Sequence, residues 1–113
     1  MNIELKNTTV KHTIGGKEFM VDLGDPSVQD AHDEVLRYLD TIKEEGATST
    51  EVNQKLNAYI KVAFGEEQYQ ELVKMGATNS ANAMRIYTAM IKDFNDYNAE
   101  NNVDSLLKEF GIA

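Results

Sequence analysis

Apolar and polar residues alternate along the first two dozen positions, which is the period of half-buried β-strands. Three stretches carry this alternation: Ile3–Lys6, Val10–Ile14 and Phe19–Leu23. Gly15 and Gly16 separate the last two stretches, and a glycine pair favours a two-residue hairpin turn because both residues tolerate positive φ. We therefore predict an N-terminal β-hairpin, with Ile3–Lys6 as an optional third strand.

From Asp25 onward the apolar residues recur at helical spacing instead. Asp25 is a favourable N-cap and Pro26 suits the first helical position, so the pair predicts the start of a long helix. Gly46, Gly65 and Gly76 then interrupt the helical pattern, because glycine commonly ends helices. The interruptions predict four to five helices.

The chain has 113 residues, 42% of them hydrophobic, which suits one domain (1–113) with one modest core. The predicted fold class is α+β, mainly α. The hairpin region (1–24) is expected to pack on a bundle of helices formed by residues 25–113. No cysteine is present, which excludes disulfides and thiolate chemistry.

The net charge is −8, and residues 24–76 hold most of it, with 11 acidic and 5 basic side chains. An acidic surface disfavours nucleic acid and anionic membranes and favours a partner with a basic patch. Since no apolar run approaches the roughly 18 residues of a membrane span, and the N-terminus lacks signal-peptide features, we expect a cytoplasmic protein that binds no membrane.

Histidines and acids were considered as metal ligands. His32 lies beside Asp30, Asp33 and Glu34, but the spacing matches no zinc motif. We therefore expect His32 to be a surface or boundary histidine, and His12 to be a strand residue that faces the helices or solvent.

Asp93, Asp96 and Glu100 share one side of a predicted helix. Such a stripe can ligate a cation or meet a basic partner, but an acidic helix face is ordinarily solvated. We predict no catalytic residue, no metal and no cofactor.

Large apolar side chains form a stripe along the longest predicted helix. Core packing is the default for this stripe, and part of it is a possible partner-binding surface. Its members are Met84, Tyr87, Met90, Ile91, Phe94 and Tyr97.

The motif Phe64-Gly65-Glu66-Glu67 has two interpretations. It is either an acid-lined ligand loop or a bend between two helices, with the acids in the first turn of the second helix. We favour the bend, because negative charge complements a helix N-terminus.

Three segments together resemble a known group of proteins: "GGKEFMVDLGDP", "IKVAFGEEQYQELV" and "KMGATNSANAMRIYTAMIKDF". The chain is similar over residues 14–25 and 58–94 to the tail assembly chaperones, or chaperone-like tail accessory proteins, of siphophages and Gram-positive prophages. The residues that carry the resemblance are Gly15, Gly16, Asp25, Pro26, Phe64, Gly65, Glu66 and Gly76.

The resemblance implies a non-enzymatic protein made in the bacterial host cytoplasm during phage assembly. It implies binding to the tape-measure protein and the tail tube protein, which keeps them soluble before polymerisation, and it implies self-association. Two other hypotheses remain open. One is a small acidic phage-encoded inhibitor or nucleic-acid mimic that docks on a basic host protein. The other, ranked last, is an enzyme with a carboxylate-held metal.

Overall fold

A computed structural model describes residues 2–111. The N-terminal hairpin pairs strand β1 (Thr9–Ile14) with strand β2 (Lys17–Asp22) in antiparallel register, with Val10 opposite Val21. Gly15 and Gly16 form the turn with φ of 57° and 82°, a conformation that other residues rarely adopt. The predicted hairpin and its turn are confirmed.

The optional third strand is not formed. Ile3–Lys6 has no regular secondary structure, and the sheet has two strands within the described residues. The main-chain oxygen of Thr8 accepts from Leu23 N, which extends the pairing with β2 by one residue. The Asn7 side chain accepts from Thr9 N at 3.0 Å, and no turn forms between Ile3–Lys6 and β1 that would fold the segment back along the strand.

The helices begin and end where local chemistry predicts. Within the described residues they are α1 (Pro26–Glu45), α2 (Ser49–Phe64), α3 (Glu66–Lys74), α4 (Ser80–Asn101) and α5 (Val103–Glu109). Side-chain oxygens of Asp25, Thr48 and Asn79 accept from main-chain amides in the first turns of α1, α2 and α4, respectively. The fold is α+β and mainly α, as predicted.

Gly65 forms the bend between α2 and α3. Its N–H donates to Lys61 O at 3.0 Å, and its carbonyl accepts from Tyr69 N at 2.9 Å. One residue at φ 80° thereby ends one helix and begins the next. The favoured interpretation of this motif is confirmed, because Glu66 and Glu67 occupy the first turn of α3.

Helix α2 lies at the centre of the core, in contact with α1, α3, α4 and β2. Its buried side chains pack with the inner face of the hairpin, where Phe19, Val21 and Leu23 are buried. The described residues span 50 × 37 × 18 Å, with a radius of gyration of 16.0 Å. A compact chain of this length has a radius of about 13 Å, so the molecule is flat, and much of its helix surface faces solvent.

Three of the six predicted partner-binding residues belong to this core. Tyr87, Met90 and Phe94 are each at most 3% exposed, and Tyr87 contacts Tyr59 of α2 while Phe94 stacks on His32 of α1. They are core residues in this fold, and a partner cannot reach them on its surface. None of the described helices has the length and hydropathy needed to cross a bilayer.

Candidate partner-binding surfaces

A cluster of polar groups is buried beneath β1. The rings of Tyr59 and Tyr87 meet edge to face with centroids 5.6 Å apart, and both hydroxyls are buried without a hydrogen-bonding partner within residues 2–111. His12 Nε2 and Asp93 Oδ2 approach to 2.6 Å at the margin of this cluster, without the alignment of a hydrogen bond.

Burial governs the protonation of the two tyrosines. The pKa of Tyr59 is raised above its ordinary value, first by burial and then by Tyr87 and Asp93, and burial also raises the pKa of Tyr87. Both phenols stay neutral at physiological pH. The cluster therefore contributes packing between the hairpin, α2 and α4.

His32 occupies the same layer from the α1 side. It is 3% exposed and stacks on Phe94 with ring centroids 4.0 Å apart. Burial lowers the pKa of His32, and Asp33 offsets part of this effect. The prediction of a surface or boundary histidine is wrong, because α4 lays Phe94 over the imidazole, a contact between residues distant in sequence.

The acidic residues considered as metal ligands do not converge. No group of three or more His, Asp or Glu side chains within the described residues is arranged to hold a metal ion. Asp93 pairs with His12, and Asp93, Asp96 and Glu100 all line one open depression.

A trough runs between β1 and α4. One end is a cavity of about 320 Å³ beside Ile14, Arg85 and Ile86, and the other is a cavity of about 270 Å³ beside Val10 and the acidic side of α4. His12 lines the first cavity and Asp93 lines the second. We call this feature the β1–α4 trough.

A second depression, the α1–α2 groove, lies between the first two helices. Its volume is about 380 Å³. The residues that line it are Ala31, Glu34, Val35, Arg37, Tyr38, Lys55, Ala58, Tyr59 and Val62. Val62 is 45% exposed, so the groove presents an accessible apolar side chain within a charged rim.

Tyr38 marks the wall of the α1–α2 groove. Its hydroxyl is buried and has no hydrogen-bonding partner within residues 2–111, while Lys55 Nζ lies 5.5 Å from the centre of its ring. Leaving this buried hydroxyl without a hydrogen bond costs free energy in the unbound chain.

The remaining predicted partner-binding residues are divided between the two faces of α4. Met84 is 43% exposed, and Ile91 and Tyr97 are partly buried against the core. Tyr97 also lines the β1–α4 trough. Sequence reasoning missed Tyr38 and Val62. The available signal was Val62 itself, an apolar residue outside the helical stripe of Val52, Leu56, Ile60 and Ala63.

The residues that carry the family resemblance have structural roles. Phe64 is buried and meets Phe19 edge to face, with centroids 6.2 Å apart. Glu66 is exposed, and its hydrogen bonds with Gln70 and Lys61 lower its pKa. Gly76 N donates to Val73 O at 3.0 Å where α3 ends. No protein-family model, curated protein sequence or solved structure matches the chain.

Proposed function

We propose that the protein is a non-enzymatic chaperone of phage tail assembly, and that the α1–α2 groove binds an amphipathic helix of a tail subunit. The observation that carries the proposal is the groove, which offers an accessible apolar side chain, Val62, together with charged side chains of both signs. An amphipathic helix inserts its apolar face into a depression of this kind.

The charges around the groove support this mode of binding. Its rim holds Glu34, Arg37 and Lys55, so both signs are available to pair with the polar flanks of a bound helix. Elsewhere the surface is acidic, with a net charge of −8 for the chain, and net charge of one sign keeps a complex of apolar subunits soluble.

The resemblance supports the class of partner. The tape-measure protein and the tail tube protein are the proposed partners, bound in the host cytoplasm before the tail polymerises. The similar segments, residues 14–25 and 58–94, form the hairpin turn, β2, the second half of α2, α3 and most of α4. They build the framework against which α1 lies, and α1 supplies one wall of the groove.

Co-expression with the tape-measure and tail tube proteins of the same genome tests the proposal. We expect the wild-type chain to co-purify with at least one of them and to raise its soluble fraction. Val62→Glu should abolish co-purification, because it places a charge on the apolar floor. Leu36→Glu is the matched control: Leu36 is 40% exposed on α1 and lies outside the groove.

Two outcomes would overturn the proposal. One is a wild-type chain that neither binds nor solubilises either tail protein. The other is Val62→Glu binding as well as Leu36→Glu. Capture of a single basic host protein by the wild-type chain, with no binding to the tail proteins, would instead support the acidic-inhibitor hypothesis.

A further inference from the structure

The register of the hairpin determines which main-chain groups point outward. In an antiparallel pair, residues that exchange hydrogen bonds alternate with residues that do not. The bond from Leu23 N to Thr8 O identifies a bonded pair at the end of the ladder. Counting along the register, Lys11 faces Met20 and Thr13 faces Glu18 in non-bonded pairs, so their N–H and C=O groups point away from the opposite strand.

The outer edge of β2 is closed at Met20 by one side chain. Met20 N donates to Gln68 Oε1 at 2.8 Å, and Gln68 Nε2 donates to Met20 O at 2.8 Å. The Gln68 amide therefore bonds to β2 as the peptide group of a third strand would. Lys17 adds an ion pair to Glu71 at 3.2 Å on the same side.

The outer edge of β1 has no such closure. Within the described part of the chain, the outward main-chain groups of Lys11 and Thr13 have no hydrogen-bonding partner. Below this edge lies the β1–α4 trough, where Val10, Ile14 and Ile86 are only partly buried. An exposed strand edge above an apolar depression is a template for another strand.

The chain carries a segment with the matching pattern. In Asn2–Lys6, two apolar residues alternate with polar ones, and Ile3 and Leu5 are 73% and 92% exposed. These are the most exposed large apolar side chains among those whose exposure the structure describes. The segment has the apolar–polar alternation of a β-strand but is not part of the sheet.

The segment cannot pair with the β1 edge of its own chain without breaking hydrogen bonds of the hairpin. Folding back would require a turn at Asn7 and Thr8, and both residues are already bonded within the hairpin. Thr8 O accepts from Leu23 N, and the Asn7 side chain accepts from Thr9 N. A segment from another molecule reaches the outward groups of Lys11 and Thr13 with both bonds intact.

We propose that Asn2–Lys6 of a second copy adds to the outer edge of β1 as a third strand, and that the exchange is reciprocal within a homodimer. The arrangement with the best charge complementarity is antiparallel, with Glu4 opposite Lys11. It places Leu5 beside Val10 and Ile3 beside His12, so both apolar side chains cover the trough. The inference is independent of the proposed function, because it concerns the purified chain alone.

Sedimentation equilibrium over a concentration series tests the dimer. The wild-type chain should pass from monomer to dimer as concentration rises. Leu5→Glu should weaken the dimer by about a hundred- to ten-thousandfold, because the reciprocal dimer loses two buried leucines and each contributes a factor of about ten to a hundred. Because Leu5 is exposed in the monomer, this variant should fold as the wild type does, which circular dichroism and thermal unfolding verify. Leu36→Glu removes an exposed leucine elsewhere and should leave the dimer unchanged.

Two further variants test the edge and the register. Lys11→Pro removes the outward N–H while sparing the bonds to β2, and it should weaken the dimer as Leu5→Glu does. Glu4→Lys and Lys11→Glu should each weaken the dimer, and the two together should restore it. A wild-type chain that stays monomeric at millimolar concentration would overturn the proposal. So would a dimer that Leu5→Glu and Lys11→Pro leave intact.

Discussion

The β1 and β2 sides of the hairpin differ in the apolar contacts and hydrogen bonds that the rest of the chain makes with them. On the β2 side, Phe19 meets Phe64 in an apolar contact, and Gln68 closes the strand edge. On the β1 side, the core contains the unpartnered hydroxyls of Tyr59 and Tyr87, and the strand edge faces an open trough. The rest of the chain thus bonds to the β2 edge of the hairpin and leaves the β1 edge unbonded. An intermolecular contact adds new hydrogen bonds on the β1 side.

The largest effect is expected from the β2 side of the core. Phe19→Ala should lower the free energy of unfolding by about 3–5 kcal/mol, because the hairpin loses its main apolar contact with α2. Met20→Ala, at the next position on β2 but 50% exposed, should change it by less than about 0.5 kcal/mol. Urea unfolding of both variants measures the difference. Equal losses would contradict the assignment of the two faces.

A smaller effect is expected from opening the closed edge. Gln68→Ala removes both bonds to Met20 and one to Phe64 O at 2.6 Å, and should lower the free energy of unfolding by about 1–3 kcal/mol. The matched control is Gln70→Ala, whose side chain bonds only to the exposed Glu66. If both variants unfold at the same urea concentration, Gln68 does not close the edge of β2.

The smallest effect on the free energy of unfolding is expected from His32, and it depends on pH. Burial lowers the pKa of His32 below its ordinary 6.5, so the unfolded chain binds a proton first as pH falls. The contribution of neutral His32 to the free energy of unfolding is fully present above pH 6.5. It declines below that pH by at most about 1.4 kcal/mol per pH unit. His32→Phe should flatten this slope in unfolding measurements between pH 8 and pH 5. An unchanged slope would show that another group causes it.

Local chemistry explains which parts of the fold the sequence predicted. The Gly15-Gly16 turn, the caps at Asp25 and Thr48, and the bend at Gly65 each depend on a few adjacent residues. The alternation of apolar and polar residues at Ile3–Lys6 also predicted a strand. A strand forms, however, only where it can pair with the edge of another strand elsewhere in the chain. Its neighbours Asn7 and Thr8 bond to Thr9 and Leu23 and do not form the turn that pairing within one molecule requires.

The candidate sites were less predictable because they depend on which helix faces meet. The stripe of Tyr87, Met90 and Phe94 is equally typical of a core and of an interface, and only its contacts with α1 and α2 assign it to the core. His32 was expected at the surface for the same reason, since nothing near it in sequence indicates Phe94. Val62 is 45% exposed in the groove between α1 and α2, a position that the periodicity of the sequence does not reveal.

Hydrogen exchange at single amides tests the central claim, that one edge of the hairpin is closed and the other open. At a concentration low enough for the monomer, the Met20 amide should exchange slowly because it donates to Gln68, and the Lys11 and Thr13 amides should exchange fast. Gln68→Ala should abolish the protection of Met20 alone. Equal protection of Met20, Lys11 and Thr13 in the wild-type monomer would contradict the account.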